Sequence, residues 1–408
     1  MKQGWEEQYF GNCFKLKSGD NLTAKNMSEN GIYPVFGGNG IAGYHNEYNL
    51  SGSNVIIGRV GALCGNVRHI IEKIWLTDNA FRIVDFKFDF DHSYLTYLLN
   101  YYDLRSYARQ SAQPVISNSS LKDVILRFPK SIKEQQRIVS ILDECFAAID
   151  KALQNAKVCL SLSKALFESY LQGVFEKKGD DWEEKKLGEF AEIEYGYTDK
   201  AKAEGDFRYI RITDIDNEGL LSDKEKVFIS SNVDAESFSL NDNDLLMART
   251  GATFAKVLLY EDKEPSIFAS YLIRIKFSGK VDNKFYWYFS KSPIYWEQAR
   301  LLSSGAAQPQ FNGNALKQVV FTFPKSLAEQ QTIVRQLDAL RAETQKLEAV
   351  YQKKIADLEE LKKSILQKAF AGELRSPEGA EYDSEAVTPL AANDGYSPSK
   401  KNKSPERT

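Results

Sequence analysis

The residues best suited to bind a ligand are two arginines in matching turns. Arg59-Val-Gly61 and Arg249-Thr-Gly251 each follow an apolar run and lie in a turn that contains glycine. A guanidinium on such a rigid base can donate two hydrogen bonds to guanine O6 and N7 in the major groove, or pair with a phosphate. Alternatively, the glycine only makes the turn possible and the arginine is a solvated surface charge.

Further residues around these turns complete a predicted DNA-contact set. Asn39 lies in the segment Gly37-Gly38-Asn39-Gly40, which has no match in the second half of the chain. Either recognition specific to the first half lies there, or the segment is only a hairpin with a glycine-rich turn. Gln113 and Gln308 each precede a proline; glutamine can read adenine, but a Gln-Pro pair also anchors a loop before a strand. The other members of the set are Gly61, Arg105, Arg109, Thr250, Gly251, Thr253 and Lys256.

Basic residues are concentrated near the end of the first head, where five of them stand against two aspartates. This run is either a phosphate-facing patch or a solvated face. The net charge of the whole chain is only −3, so no global basic field indicates nucleic-acid binding. The residues of the run are Arg105, Arg109, Lys122, Arg127 and Lys130, against Asp103 and Asp123.

Motifs for catalysis are absent from the sequence. The chain has no GxxxxGK[ST] phosphate loop, no Pro-Pro dipeptide of the amino-methyltransferase motif and no Pro-Asp dipeptide of metal-dependent nucleases. Its three histidines are scattered and its four cysteines form no CxxC pair, so neither acid–base chemistry nor a metal site is predicted. No apolar run approaches the ~18 residues that span a bilayer. We therefore expect a soluble, cytoplasmic, non-catalytic protein without a cofactor of its own.

A repeat organises the chain. Ala112–Asp143 aligns without a gap to Ala307–Asp338, and more than half of the aligned residues are identical. The offset of 195 residues far exceeds the roughly 20–50 residues of a solenoid repeat. The repeated unit is therefore a whole domain followed by a long helix.

Each copy of the repeat contains a capping box at the start of a predicted helix. Ser131 and Ser326 can accept a hydrogen bond from a backbone amide while Glu134 and Glu329 reach back. Apolar residues then recur at steps of three and four, which predicts one seam of a coiled-coil-like helix about 60 Å long. Gly173 and the charged run EKKGDD that follows it mark the predicted end of the first helix, and Gly372 marks that of the second. Alignment on the two glycines makes the second helix four residues longer. The adjoining glutamines are interpreted as structural or partner-facing framework: Gln135, Gln136, Gln330 and Gln331.

The predicted fold class is α+β, with two mixed α/β heads joined by two long helices. Amphipathic helices of ~40 residues cannot leave an apolar seam in water, so they should form an antiparallel, coiled-coil-like pair that relates the halves by a pseudo-two-fold axis. The predicted boundaries are 1–130 and 179–325 for the heads, 131–178 and 326–374 for the helices, and 375–408 for a disordered tail.

The duplicated segments Pro129-Lys-Ser-Ile-Lys-Glu-Gln-Gln136 and Pro324-Lys-Ser-Leu-Ala-Glu-Gln-Gln331 resemble the specificity (HsdS) subunit of Type I restriction–modification systems. The resemblance covers the chain from about Trp5 to Leu374. It implies two target-recognition domains, each reading half of a split double-stranded DNA site, with the helices as spacer and docking surface. The implied partners are two methyltransferase (HsdM-like) subunits and a restriction (HsdR-like) subunit. S-adenosylmethionine, ATP and Mg²⁺ would belong to those partners.

Two other function classes stay open at this stage. A bivalent protein-interaction scaffold would use two heads without touching DNA, and a fused enzyme would need an unrecognised active site. Sequence-specific, salt-dependent DNA binding together with a methyltransferase partner distinguishes the first interpretation from these.

Overall fold

Two units make up the chain, and each contains one head with one end of each long helix. The computed structural model describes residues 3–109, 113–177, 179–222, 224–231, 233–305 and 309–374. One unit comprises Met1–Ala148 with Glu360–Thr408, and the other comprises Ile149–Glu359. The tail expected at 375–408 lies outside the described residues.

The first head is built from short strands and three short helices. Central strand β5 is apolar and fully buried after its first residue, because neighbouring elements cover both of its faces. The strands are β1 (Trp5–Tyr9), β2 (Lys15–Ser18), β3 (Tyr33–Gly37), β4 (Gly40–His45), β5 (Asn54–Gly58), β6 (Val67–Ile70), β7 (Trp75–Leu76), β8 (Ala80–Val84) and β9 (Ile125–Pro129). The helices are α1 (Phe10–Cys13), α2 (His92–Tyr101) and α3 (Asn118–Leu121), and the long helix α4 (Ile132–Glu176) follows.

The second head repeats this order of strands. Its strands are β10 (Trp182–Lys186), β11 (Ala191–Tyr195), β12 (Phe207–Ile210), β13 (Phe228–Ile229), β14 (Leu245–Ala248), β15 (Val257–Leu259), β16 (Ser266–Phe268), β17 (Leu272–Phe277) and β18 (Val320–Pro324). Its helices are α5 (Val233–Glu236), α6 (Asn283–Phe289), α7 (Pro293–Leu302) and α8 (Gly313–Lys317), and the long helix α9 (Leu327–Ala371) follows.

Both heads have the same sheet topology. The sheets of the first head are ordered β2-β8-β5-β6, β4-β3-β7 and β1-β9. Those of the second are β11-β17-β14-β15, β13-β12-β16 and β10-β18, and in each three-stranded sheet one pair is parallel. The predicted α+β class with two long helices is confirmed.

Strand β3, which leads into the unmatched segment Gly37–Gly40, has a structural equivalent in the second head. Strand β3 and strand β12 are both the middle strand of a three-stranded sheet. The connection that follows differs: Gly38-Asn39 joins β3 to β4, whereas residues 211–227 join β12 to β13. The heads thus share a sheet and differ in this connection.

The long helices run antiparallel within each unit. In the first unit Lys362 of α9 lies 4.7 Å from the ring centre of Phe146 of α4, and Arg137 Nη2 donates to Leu374 O. In the second unit Tyr170 of α4 donates to Gln336 Oε1 of α9 at 3.2 Å. The beginning of one helix therefore lies beside the end of the other, as the sequence predicts.

Two expectations about the helices are wrong. The second helix is not four residues longer than the first, since both long helices have 45 residues. Helix α4 continues past Gly173 to Glu176, the first residue of the charged run, because Phe175 packs on Phe285 and Phe289 of the second head. The predicted seam is also interrupted. Three of its members are exposed, namely Tyr170, Leu347 and Leu361.

The capping boxes are only partly formed as predicted. Ser131 Oγ accepts from Glu134 N at 3.4 Å, while the Glu134 carboxylate accepts two hydrogen bonds from Arg137. At the second helix the Ser326 carbonyl accepts from Glu329 N, and Trp182 Nε1 donates to Glu329 Oε1. The glutamate of each box therefore also engages a side chain near the helix start.

One buried glutamine fastens each head to its long helix. Gln135 Nε2 donates to Asp89 O at 3.1 Å and Pro129 O at 2.9 Å, and its Oε1 accepts from Asp91 N at 2.8 Å. Asp91 in turn caps the N-terminus of α2 through Tyr94 N. This cluster, the head–helix joint, satisfies three backbone groups with one side chain that is 0% exposed.

The second head has the same joint. Gln330 Nε2 donates to Lys280 O at 3.0 Å and Pro324 O at 2.7 Å, and its Oε1 accepts from Asp282 N at 2.7 Å. Asp282 caps α6. Further along, Tyr97 donates to Asp143 in the first unit and Tyr288 to Asp338 in the second. Each head helix is therefore fixed to its long helix at two places.

Replacing either joint glutamine by leucine should destabilise its head. Gln135→Leu or Gln330→Leu leaves a backbone N–H and two carbonyls without their partner, which we expect to cost about 3 kcal/mol in free energy of unfolding. Urea unfolding of the full chain measures this. Gln136→Leu and Gln331→Leu are the matched controls, because both side chains are exposed. Equal effects at the buried and exposed positions would contradict the joint.

Candidate nucleic-acid interface

The two Arg-x-Gly turns have the same backbone frame. Arg59 N donates to Asn79 O and its carbonyl accepts from Ile116 N, both at 2.9 Å. Arg249 N donates to Tyr271 O at 3.1 Å and its carbonyl accepts from Phe311 N at 2.8 Å. Each arginine is therefore held between two loops at the end of a buried strand, β5 or β14.

The arginine side chains are anchored as well. Arg59 Nη1 donates to Asp78 O at 3.3 Å, and its guanidinium carbon lies 5.4 Å from the Phe81 ring centre. Arg249 Nη1 donates to Ser270 O at 3.3 Å. Both residues are half-buried. Each guanidinium therefore has a hydrogen bond to a backbone carbonyl of its own head.

The Asn39 side chain packs against the first turn. Its Oδ1 accepts from Leu63 N at 2.8 Å, and a Cβ on Gly61 would lie 2.6 Å from that oxygen. Asn39 and Gln113 line one cavity of about 250 Å3 next to the turn, together with Val60 and Asn79. The structure thus brings three predicted residues together, Asn39, Gly61 and Gln113.

Around the second turn, the predicted residues make different contacts from those of the first head. The hydroxyls of Thr250 and Thr253 are buried and have no hydrogen-bond partner within the described part of the chain. Lys256 Nζ donates to Asn217 Oδ1 at 3.1 Å, which ties it to the connection between β12 and β13. Gln308 lies outside the described residues.

The predicted basic run of the first head is largely ion-paired. Arg127 Nε lies 2.6 Å from Glu7, Lys122 lies 3.9 Å from Asp123, and Lys130 pairs with Glu6. The hydrogen bond from Lys130 lowers the pKa of Glu6. Arg105 and Arg109 are exposed. Of the run, these two arginines are the better candidates for phosphate contact.

Two histidines described as scattered in the sequence meet in the first head. Ser53 Oγ lies 2.8 Å from His69 Nε2 and 2.7 Å from His92 Nδ1. Burial lowers the pKa of both imidazoles. Within the described ranges, no group of three or more His, Cys, Asp or Glu is placed to hold a metal ion, and no helix is long and apolar enough to cross a bilayer.

The sequence interpretation missed two tyrosines beside Arg249. The guanidinium carbon lies 5.3 Å from the ring centre of Tyr195 and 5.7 Å from that of Tyr271. Strand pairing and the Arg-turn hydrogen bonds place Ser18 and Asn79 at the equivalent positions of the first head. No local spacing signals these contacts, because both tyrosines are more than 20 residues from Arg249 in sequence.

Comparison with known proteins gives a family match over most of the chain. The family model described as "Type I restriction modification DNA specificity domain" matches residues 2–157 and 179–357. The specificity subunit of the Escherichia coli Type I restriction enzyme EcoprrI is 36% identical over 138 residues, 33% of this chain and 34% of that protein. The StySPI specificity subunit of Salmonella potsdam is 26% identical over 282 residues, 62% and 58%. The matched segments therefore span less than two thirds of either relative.

Solved structures show the same fold. A chain from a structure on complex assembly and conformational transition of the type I R-M system matches 92% of this chain and 99% of its own length, at 15% identity and TM-score 0.71. The HsdS subunit from Thermoanaerobacter tengcongensis matches 92% and 98%, at 16% identity and TM-score 0.57.

Gly61→Ala should destabilise the chain more than Gly251→Ala. Both glycines have positive φ, +103° and +81°, but a Cβ at position 61 also strikes Asn39, whereas at 251 it meets only Ile212 Cδ1 at 3.3 Å. We expect losses of about 2–4 and about 1–2 kcal/mol in free energy of unfolding, measured by urea titration. A larger loss at Gly251 would show that Asn39 does not hold the first turn.

Proposed function

The chain belongs to the Type I restriction modification DNA specificity family, and we propose that it is the specificity subunit of a Type I complex that reads a bipartite DNA site. Each head binds one half-site in double-stranded DNA. The half-sites lie about one helical turn apart, near 34 Å. The chain itself directs the reaction without catalysing it.

The observation that carries this proposal is the duplicated Arg-x-Gly turn on a duplicated frame. Arg59 and Arg249 end equivalent strands, are anchored by equivalent hydrogen bonds and present a half-buried guanidinium. Their surroundings differ: an amide-lined cavity adjoins Arg59, whereas two tyrosines flank Arg249. A shared frame with different contact chemistry suits two reading heads with different targets.

The long helices supply the second part of the proposal, a docking surface for methyltransferase subunits. Four apolar residues at four-residue steps on α4 form an exposed stripe: Val158 (47% exposed), Leu162 (62%), Leu166 (51%) and Tyr170 (40%). Residues four apart lie on one face of a helix. An exposed apolar stripe of this kind marks a protein contact. We assign methyl transfer, with S-adenosylmethionine, to the docked subunits, and ATP- and Mg²⁺-dependent cleavage to a restriction subunit.

Substitution of each arginine should affect one half-site only. We expect Arg59→Ala to weaken recognition of one half-site by about 10- to 100-fold, and Arg249→Ala to do so for the other. Competition binding with duplexes in which one half-site is scrambled measures this for the assembled complex. Each variant should become indifferent to scrambling of its own half-site while it still rejects scrambling of the other.

Arg127→Ala is the matched control for this experiment, because Arg127 is exposed and paired with Glu7 outside the turns. It should change affinity less than about threefold, as a surface charge of small effect. Loss of the same half-site in both arginine variants would contradict the division into two reading heads.

Charge placed on the α4 stripe should prevent assembly. Leu162→Asp with Leu166→Asp introduces two carboxylates into the proposed apolar contact, and we expect the methyltransferase subunit to be lost from the purified complex. Lys164→Asp is the control: it makes the same total charge change, because a lysine becomes an aspartate, but it points about 200° away around the helix. Size-exclusion chromatography with both subunits gives the result, and equal loss with Lys164→Asp would contradict the stripe.

A further inference from the structure

The Arg249 guanidinium in the second head lies close to two tyrosine rings. Its carbon is 5.3 Å from the centre of Tyr195 and 5.7 Å from the centre of Tyr271, both within the range of a cation–π contact. The rings are 43% and 56% exposed. The arginine therefore lies at the surface with aromatic groups beside it.

A hydrogen bond holds the Tyr195 ring, and the loop that carries Tyr271 is bonded to Arg249. Tyr195 Oη accepts from Gly313 N at 2.8 Å at the start of α8, and a Cβ on Gly313 would lie 2.9 Å from that oxygen. The Tyr271 carbonyl accepts from Arg249 N, and Ser270 O accepts from Arg249 Nη1. The loop that carries Tyr271 is thus bonded to the backbone and to the side chain of Arg249.

The first head does not repeat this arrangement. Ser18 and Asn79 stand at the positions of Tyr195 and Tyr271, and Arg59 instead lies over one ring, the buried Phe81. The tyrosine pair is therefore a property of the second head and not of the shared frame.

Aromatic contacts on a guanidinium restrict its orientation and leave its N–H edge free to donate. A planar fork with a fixed direction matches two acceptors in one plane, as in guanine O6 and N7. Restricting the orientation of the side chain contributes less to phosphate binding, because a flexible point charge such as lysine also binds phosphate. Exposed rings beside the fork can in addition pack against neighbouring base edges.

We propose that Tyr195 and Tyr271 are positioning residues that aim Arg249 at O6 and N7 of one guanine in the half-site of the second head. This inference rests on the proposed DNA-reading function and adds the base and the residues that select it.

The test uses the complex assembled with its methyltransferase subunits and a 40-bp duplex that carries the motif found by methylation mapping. Each guanine of the second half-site is replaced in turn by 7-deazaguanine, which lacks the N7 acceptor. We expect one replacement to weaken binding by about tenfold in the wild type and to have no further effect in Arg249→Ala. Tyr271→Leu and Tyr195→Leu should reduce the penalty to less than about threefold, whereas Tyr271→Phe keeps the ring and should retain it.

Tyr44→Leu is the control, because Tyr44 is an exposed tyrosine of the first head. It should leave the penalty unchanged. A second half-site without guanine, or one in which no 7-deazaguanine replacement matters, overturns the inference while two-headed recognition stands. The inference is also overturned if Arg249→Ala shows no guanine effect and only lowers the salt dependence of binding by the amount expected for about one phosphate contact. A complex that ignores scrambling of both half-sites overturns the proposed function itself.

Discussion

A buried glutamine in each unit, Gln135 or Gln330, joins the head to the start of its long helix. Gln135 and Gln330 each satisfy two carbonyls and one amide that come from the end of a strand and the start of a head helix. Buried backbone groups without partners are costly, so these segments cannot move apart without loss of stability. The joint therefore holds three parts together: the start of the long helix, the end of strand β9 or β18, and the N-cap of α2 or α6.

This constraint allows the heads to share a fold while the residues around each arginine differ. Strands β5 and β14, which precede Arg59 and Arg249, have equivalent neighbours in their sheets, and the two arginines have backbone partners at equivalent positions. Variation lies in the connection after β3 or β12 and in the side chains around each guanidinium. Changes at these places alter the contact surface and leave the joint and the buried strands intact.

The sequence predicted the features that depend on local pattern and on the repeat. The duplicated segment, the starts of both long helices and the equivalence of Arg59 with Arg249 follow from spacing and alignment. Features set by packing across the chain did not follow. Helix α4 passes Gly173 because of contacts that Phe175 makes more than 100 residues away, and β3 matches β12 through sheet order rather than sequence. The tyrosines beside Arg249 arrive from separate loops, so no periodicity could indicate them.

The central claim, that this chain selects a bipartite DNA site for methylation, is tested most directly by single-molecule methylation mapping of the host genome with and without the gene. The account predicts one methylated motif of two different half-sites separated by an unspecified spacer, present with the gene and lost without it. An identical methylation pattern in the two strains, or loss of a single undivided motif, would contradict it.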